Sequence, residues 1–132
     1  MPVLDTVVLF ATADSNDKHH ERAKRHLQLV SEPQVYLSAF ALFEFDITLK
    51  SRGFTFEQRM EKYALLLRDY PSLDRKVAKI SPSTFYLVSR LEEETDLEYF
   101  DAGIAAEALQ SDGSVVSTDR AFDKVEGLTR TW

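Results

Sequence analysis

The chain has 132 residues, 44% hydrophobic and 29% charged, which suits a single globular domain over 1–132 and is too short for two ordinary ones. It contains no cysteine, so disulfides, thiolate zinc sites and cysteine nucleophiles are excluded, and an intracellular, cytoplasmic protein is expected. The net charge of −6 argues against a protein that coats nucleic acid through Lys and Arg, but not against an enzyme whose acids bind cations that in turn hold phosphate. No apolar run approaches the roughly 20 residues of a membrane span, and the N-terminus shows no basic leader of a signal peptide.

In chain order, "PVLD" (2–5) opens as a strand, and hydropathy alone would extend it through "TVVLF" (6–10). The stretch 17–30 carries Ala23, Leu27 and Val30 at helical spacing, opposite a charged face. It also holds all three histidines, His19, His20 and His26, which read as surface residues; His19 and His26 stand too far apart for one metal. "QVYLS" (34–38) turns Val35 and Leu37 inward as a strand and ends at Ser38, a candidate N-cap for the helix "SAFALFEFDITLK" (38–50), with Gly53 as its stop. "TFEQ" (55–58) matches a capping box before Met60, Tyr63, Ala64 and Leu67. "KVAKI" (76–80) reads as an edge strand with exposed lysines. "SP" (81–82) opens a helix with Leu87, Val88 and Leu91 as its stripe. "TDLE" (95–98) matches a second capping box, and Gly113 is placed to stop the helix that follows. "SVVS" (114–117) has the short, apolar, β-branched character of a buried parallel strand, and "LTRT" (128–131) supplies the last one. Strands alternating with helices predict a three-layer α/β/α fold around a central, mostly parallel sheet of about five short strands.

With 22 acids in the chain, carboxylates as such mean little, so the informative ones are those on apolar ground without a local base. Asp5 lies between "VL" and "TVVLF", where an unpaired carboxylate is costly and where, in an open parallel sheet, ligands bind at the strand end; the competing reading is an N-cap. Glu44 sits in a helix apolar nearly all round, with Thr48 rather than a base at i+4, whereas Asp46 has Lys50 there. Asp101, in "YFDAGIAAEAL", has no Lys or Arg at i±3 or i±4, and its alternative role is to complement the helix dipole. Asp119 follows "VVST", where a strand–Asp turn is the ordinary explanation, and Asp123 follows one turn later as a further outer ligand or a solvated helix acid. Two such charges about 5 Å apart repel by about 3 kcal/mol at an effective dielectric near 20. If the four converge, hard cations with oxygen ligands, Mg²⁺ or Mn²⁺, are the natural counterions.

The order and spacing of these residues resemble the PIN domain, a small α/β nuclease fold that includes the VapC-type ribonuclease toxins of toxin–antitoxin pairs. The family's opening "D-T/S-N/S-x-L" is matched by Asp5-Thr6-Val7-Val8-Leu9, and its glutamate-bearing helix by "VYLSAFALFEF" with Glu44. Its third acid is matched by "DAGIAAEAL" from Asp101, and its "T/S-x-D-x-x-F" by "VVSTDRAF" with Ser117, Asp119 and Phe122. The resemblance covers nearly the whole chain and implies that 5–10 is strand, acid, then helix. It further implies that Asp5, Glu44, Asp101 and Asp119 surround one or two divalent ions, with Thr6 and Ser117 as accessory groups. One departure is Val7, where the family usually has Asn or Ser.

The implied activity is divalent-metal-dependent endoribonuclease chemistry, the ions activating a water and neutralising the phosphate while one carboxylate accepts the water's proton. Basic residues near the cleft would hold RNA; Arg120 beside Asp119, and Lys50 and Arg52 after the Glu44 helix, are the candidates. As a toxin the chain would be a homodimer blocked by an antitoxin, with the helix 38–50 and the region 54–70 offering contact surface, although core packing competes for those residues. The rival class is a PIN-fold binding or scaffold module without turnover, which Val7 and the acidic charge favour. An aspartyl-phosphate phosphatase using Asp5 would need a second Asp where Val7 stands, and a phosphate-cradling glycine loop is absent.

Overall fold

The computed structural model describes residues 2–31 and 35–132. Strand β1 (Val3–Leu4) pairs in parallel with β2 (Tyr36–Leu37) on one side and β3 (Ser114–Val116) on the other, and β4 (Thr129–Thr131) extends the sheet beyond β3. The order is β2-β1-β3-β4, all parallel. The expected strand over 76–80 is reduced to a single bridge, Leu37 with Val77, so the sheet has four strands and a vestige of the fifth. Lys76 and Lys79 flank this edge, and a short charged edge resists pairing with another chain. Of the predicted strand over 34–38, Gln34 lies outside the described residues and only Tyr36 and Leu37 enter the ladder.

Successive strand residues point to opposite faces, and that alternation divides the core in two. Val3 and Val115 face a cluster built on Phe40, Val88, Ile104 and Phe122. Leu4, Leu37 and Val116 face the other, with Leu9, Leu27, Phe45 and Leu66. Helix α1 (Thr6–Ala13), α2 (His20–Gln28) and α4 (Phe56–Asp69) cover the second face. Helices α5 (Pro82–Glu94) and α6 (Tyr99–Leu109) cover the first. Helix α3 (Ala39–Ser51) contributes Phe40 and Ala41 to one cluster and Phe45 and Leu49 to the other, which is why its sequence is apolar nearly all round. The three layers and the parallel sheet are those the sequence predicts.

The local signals explain most of the boundaries. Ser38 caps α3 by accepting from the Ala41 amide at 2.9 Å, and Thr55 and Gln58 form the expected reciprocal box on α4. Gly113 adopts φ +78° and its amide bonds to the Ala108 carbonyl, ending α6 in a conformation that only glycine takes without strain. The box expected at 95–98 is not formed: Thr95 closes α5, donating its hydroxyl to the Leu91 carbonyl, and Glu98 precedes α6 without a side-chain cap. The second predicted helix starts at His20 rather than 17, after a turn in which the Asp17 carboxylate accepts from the His19 amide. The three histidines are half-buried rather than on the surface. His19 and His26 pack their rings on Trp132, and the His20 imidazole bonds the Ala11 carbonyl.

Candidate metal centre

The chain runs from β1 to β2 on one side of the sheet and from β3 to β4 on the other, so the crevice above β1 and β3 is where the strand order reverses, the usual ligand position of open parallel sheets. Asp5 follows β1 directly and Ser117 follows β3 directly. The Asp5 amide bonds the Val116 carbonyl at 3.1 Å, which pins both residues at the carboxyl edge. Asp5 begins α1 as its N-cap, accepting from the Thr6 amide at 2.6 Å, and its other oxygen accepts from the Ser117 hydroxyl at 2.5 Å. The N-cap reading of Asp5 is therefore correct, and it does not compete with the site reading, because the same side chain faces the crevice. The predicted break at residue 5 is also real: "TVVLF" is helix.

Glu44, one turn and a half into α3, finds its partner across the crevice, accepting from the Thr6 hydroxyl at 2.5 Å. Asp101 stands in the first turn of α6 and accepts no hydrogen bond among the described residues. Oxygens of Asp5, Glu44 and Asp101 lie within 4.8 Å of one another, and no cation pairs with any of them among the described residues. Burial pushes the Asp5 carboxyl up to about 6, against the Ser117 and Thr6 hydrogen bonds that lower it and with the charges of Glu44 and Asp119 adding to the rise. Burial also lifts Asp101, to about 7, helped by the charges of Asp5, Asp119, Glu44 and Glu98. Three hard oxygen donors from three parts of the chain, with no compensating base among the described residues, fit a divalent ion of the Mg²⁺ or Mn²⁺ kind.

Asp119 does not join this triad. It is exposed at the rim, where its carboxylate caps the short 3₁₀ turn over 120–124 by accepting from the Ala121 amide at 2.9 Å. It still lines the same cleft, and its own amide donates to the Ser117 hydroxyl at 2.9 Å, so a chain of bonds runs from Asp119 through Ser117 to Asp5. Asp123 accepts from Nε and Nη2 along one edge of the Arg130 guanidinium, at 2.9 and 3.2 Å, which accounts for its charge without an ion. Val7 lines the cleft from the first turn of α1 and offers no donor atom.

The cleft, about 920 Å³, continues from the acids to Phe10, Phe54, Arg52 and Lys62. The Arg52 guanidinium lies 5.0 Å over the Phe10 ring and the Lys62 ammonium 4.9 Å over Phe54. Arg120 is exposed outside this lining, and Lys50 is paired with Asp46 at 3.5 Å, so neither faces the cleft. Lys62 carried no local signal in the sequence. Glu107 did: it is 3% exposed, sits among small apolar residues, and has no base at i±3 or i±4, the same pattern that singled out Asp101.

The chain is thus an α/β domain whose carboxyl-edge crevice gathers acids from the end of the first strand, the third helix and the last long helix. The match to the PIN domain model over residues 3–128 is of a piece with that organisation, and the chain belongs to the PIN domain family. A chain in the crystal structure of VapBC2 from Rickettsia felis, bound to a DNA fragment from their promoter, superposes with a TM-score of 0.72 at 16% identity, covering 98% of this chain and 96% of the other. A chain of FitAcB from Neisseria gonorrhoeae does so with a TM-score of 0.69 at 19% identity and the same coverage, 98% and 96%. At these identities the likeness is one of fold. No functionally curated protein matches the chain in sequence.

Proposed function

We propose that the chain, as one PIN unit over 1–132, is a divalent-metal-dependent endoribonuclease and the toxin of a toxin–antitoxin pair acting in the cytoplasm. The observation that carries this reading is the convergence of Asp5, Glu44 and Asp101 within 4.8 Å without a neutralising base among the described residues. These three would hold Mg²⁺ or Mn²⁺, with Asp119 at the rim completing the set and Ser117 and Thr6 fixing the orientation of Asp5 and Glu44 through their hydroxyls. A bound ion would supply Lewis acidity and neutralise the phosphodiester charge. The protein's own part is to gather the carboxylates where an ion would displace their protons and to present Asp119, the most accessible of the four, as proton acceptor for water.

Substrate contact is supported by Arg52 and Lys62, two cations held over Phe10 and Phe54 in the cleft lining, where they can meet phosphate. Two cations against the seven acids lining the cleft make ion-free RNA binding weak, so the ion is part of substrate recognition. An antitoxin partner is supported by the neighbours VapBC2 and FitAcB and by an apolar groove of about 670 Å³ between α3 and α4. Phe43, Ile47, Phe56 and Met60 stand exposed on these two helices, more apolar surface than a solitary chain needs to show. A homodimer belongs to the same proposal.

Val7 favours a second reading, a PIN scaffold that binds an ion without turnover, because it withholds a polar group from the cleft. One assay separates the two. Wild-type protein incubated with single-stranded RNA is expected to cleave it with Mn²⁺ and not with EDTA, and Asp101→Asn to lose the activity. Mn²⁺ binding without cleavage supports the scaffold; cleavage indifferent to EDTA or to Asp101→Asn refutes the nuclease site.

A further inference from the structure

Among the described residues Glu107 is the least exposed acid, at 3%, and it takes no part in the chemistry above. Its carboxylate lies at the N-terminus of α3, accepting from the Ser38 hydroxyl, from the Ala39 amide at 2.7 Å and from the Phe40 amide at 3.3 Å. A carboxylate at that place satisfies amides a helix otherwise leaves orphaned and is favoured by the helix dipole. It also ties two helices together, since Glu107 belongs to α6.

The positions along the two helices give this tie its meaning. Helix α6 packs antiparallel on α3: Glu107 meets 38–40, Gly103 meets Phe40, and Asp101 meets Glu44. From Ser38 to Glu44, and from Asp101 to Glu107, is the same six residues, about 9 Å at 1.5 Å per residue. The face of α6 turned to α3 carries Asp101, Gly103, Ile104 and Glu107, and Gly103 lies so close to the Phe40 ring that an added Cβ would stand 2.3 Å from it. A directional, charge-assisted contact at one end of that face fixes the register at the other.

We propose that Glu107 is a positioning residue that sets the register of α6 on α3 and thereby the distance at which Glu44 meets Asp101. The inference rests on Asp5, Glu44 and Asp101 being the ion site. It predicts that removing Glu107 weakens ion binding although Glu107 touches no ion.

The chain has no cysteine, so spin labels at Ile47→Cys and Glu98→Cys report the α3–α6 distance without background. In this labelled protein, Glu107→Leu is expected to shift or broaden the interspin distance, and in unlabelled protein to weaken Mn²⁺ affinity by calorimetry about tenfold or more. Val30→Ala, a cavity in the other core, controls for general destabilisation and is expected to change neither. Glu107→Asp, one methylene shorter, cannot reach all three donors and is expected to show the same effects in smaller measure, which keeps the test open if the Leu variant does not fold. Wild-type distance and affinity in a folded Glu107 variant overturn the proposal. A shifted distance in a protein whose wild type binds no Mn²⁺ upholds the register role and refutes the ion-site reading.

Discussion

Asp101→Asn should stabilise the ion-free protein while destroying its ion site. Asp101 receives no hydrogen bond among the described residues, so an amide of the same shape forfeits nothing local. The carboxyl is raised from 3.8 to about 7, first by burial and then by the charges of Asp5, Asp119, Glu44 and Glu98. A folded-state value above the unfolded one means that the group's contribution is fully present in acid and is lost as pH rises through the window from about 4 to about 7. Fully expressed, that difference corresponds to about 4 kcal/mol. Asp101 is only partly buried and solvent screens it, so about 1–2 kcal/mol should survive. For a chain of this length that is a rise in Tm of about 4–7 °C. Calorimetric melting in chelator at pH 8 should show the variant above wild type, and at pH 4 the two should coincide because wild-type Asp101 is then protonated. Saturating Mn²⁺ at pH 8 should reverse the order, since only wild type gains from the ion. A variant less stable than wild type at pH 8 in chelator would refute the account of the triad as uncompensated charge.

The same carboxyls predict that Mn²⁺ affinity climbs as pH rises through about 6 to 7, where Asp5 and Asp101 release their protons, with proton release measurable by calorimetry in buffers of different ionisation heat. Gly103→Ala should cost about 1–3 kcal/mol in denaturant unfolding, because the added Cβ would stand 2.3 Å from the Phe40 ring and one of the two helices must give way. Arg52→Ala and Lys62→Ala should each weaken RNA binding and lower the salt dependence of log K by about one, read from titrations at several salt concentrations, while leaving Mn²⁺ affinity unchanged.

How far the site was legible in the sequence differs by residue, for physical reasons. Asp5, Glu44 and Asp101 stood out in the sequence because each is an acid on apolar ground with no base within helical reach, and the structure brings the three together. Asp119 was read into the same cluster, but proximity in a motif does not fix side-chain direction, and its oxygen turns to the Ala121 amide instead. Asp123 was ambiguous because its partner, Arg130, lies on the neighbouring strand rather than within a helical turn. The histidines looked solvated for the same reason: Trp132, which covers two of them, is more than a hundred residues away in sequence.

The sequence by itself determined the alternation of strands and helices and most of the helix caps, and it singled out four acids, Asp5, Glu44, Asp101 and Asp119, beside their ordinary capping or surface readings. These are local matters, decided within a few residues by hydrogen-bonding geometry, backbone freedom and hydrophobic period. Only the tertiary structure decided that Thr6 is the partner of Glu44, that Ser117 links Asp5 to Asp119, and that Glu107 ties α6 to α3. It also decided that 76–80 contributes one bridge and not a strand. Each of these depends on which elements lie side by side, and short strands buried on both faces carry too little pattern to say so. The tie between α6 and α3 is written in contacts between residues far apart in the chain.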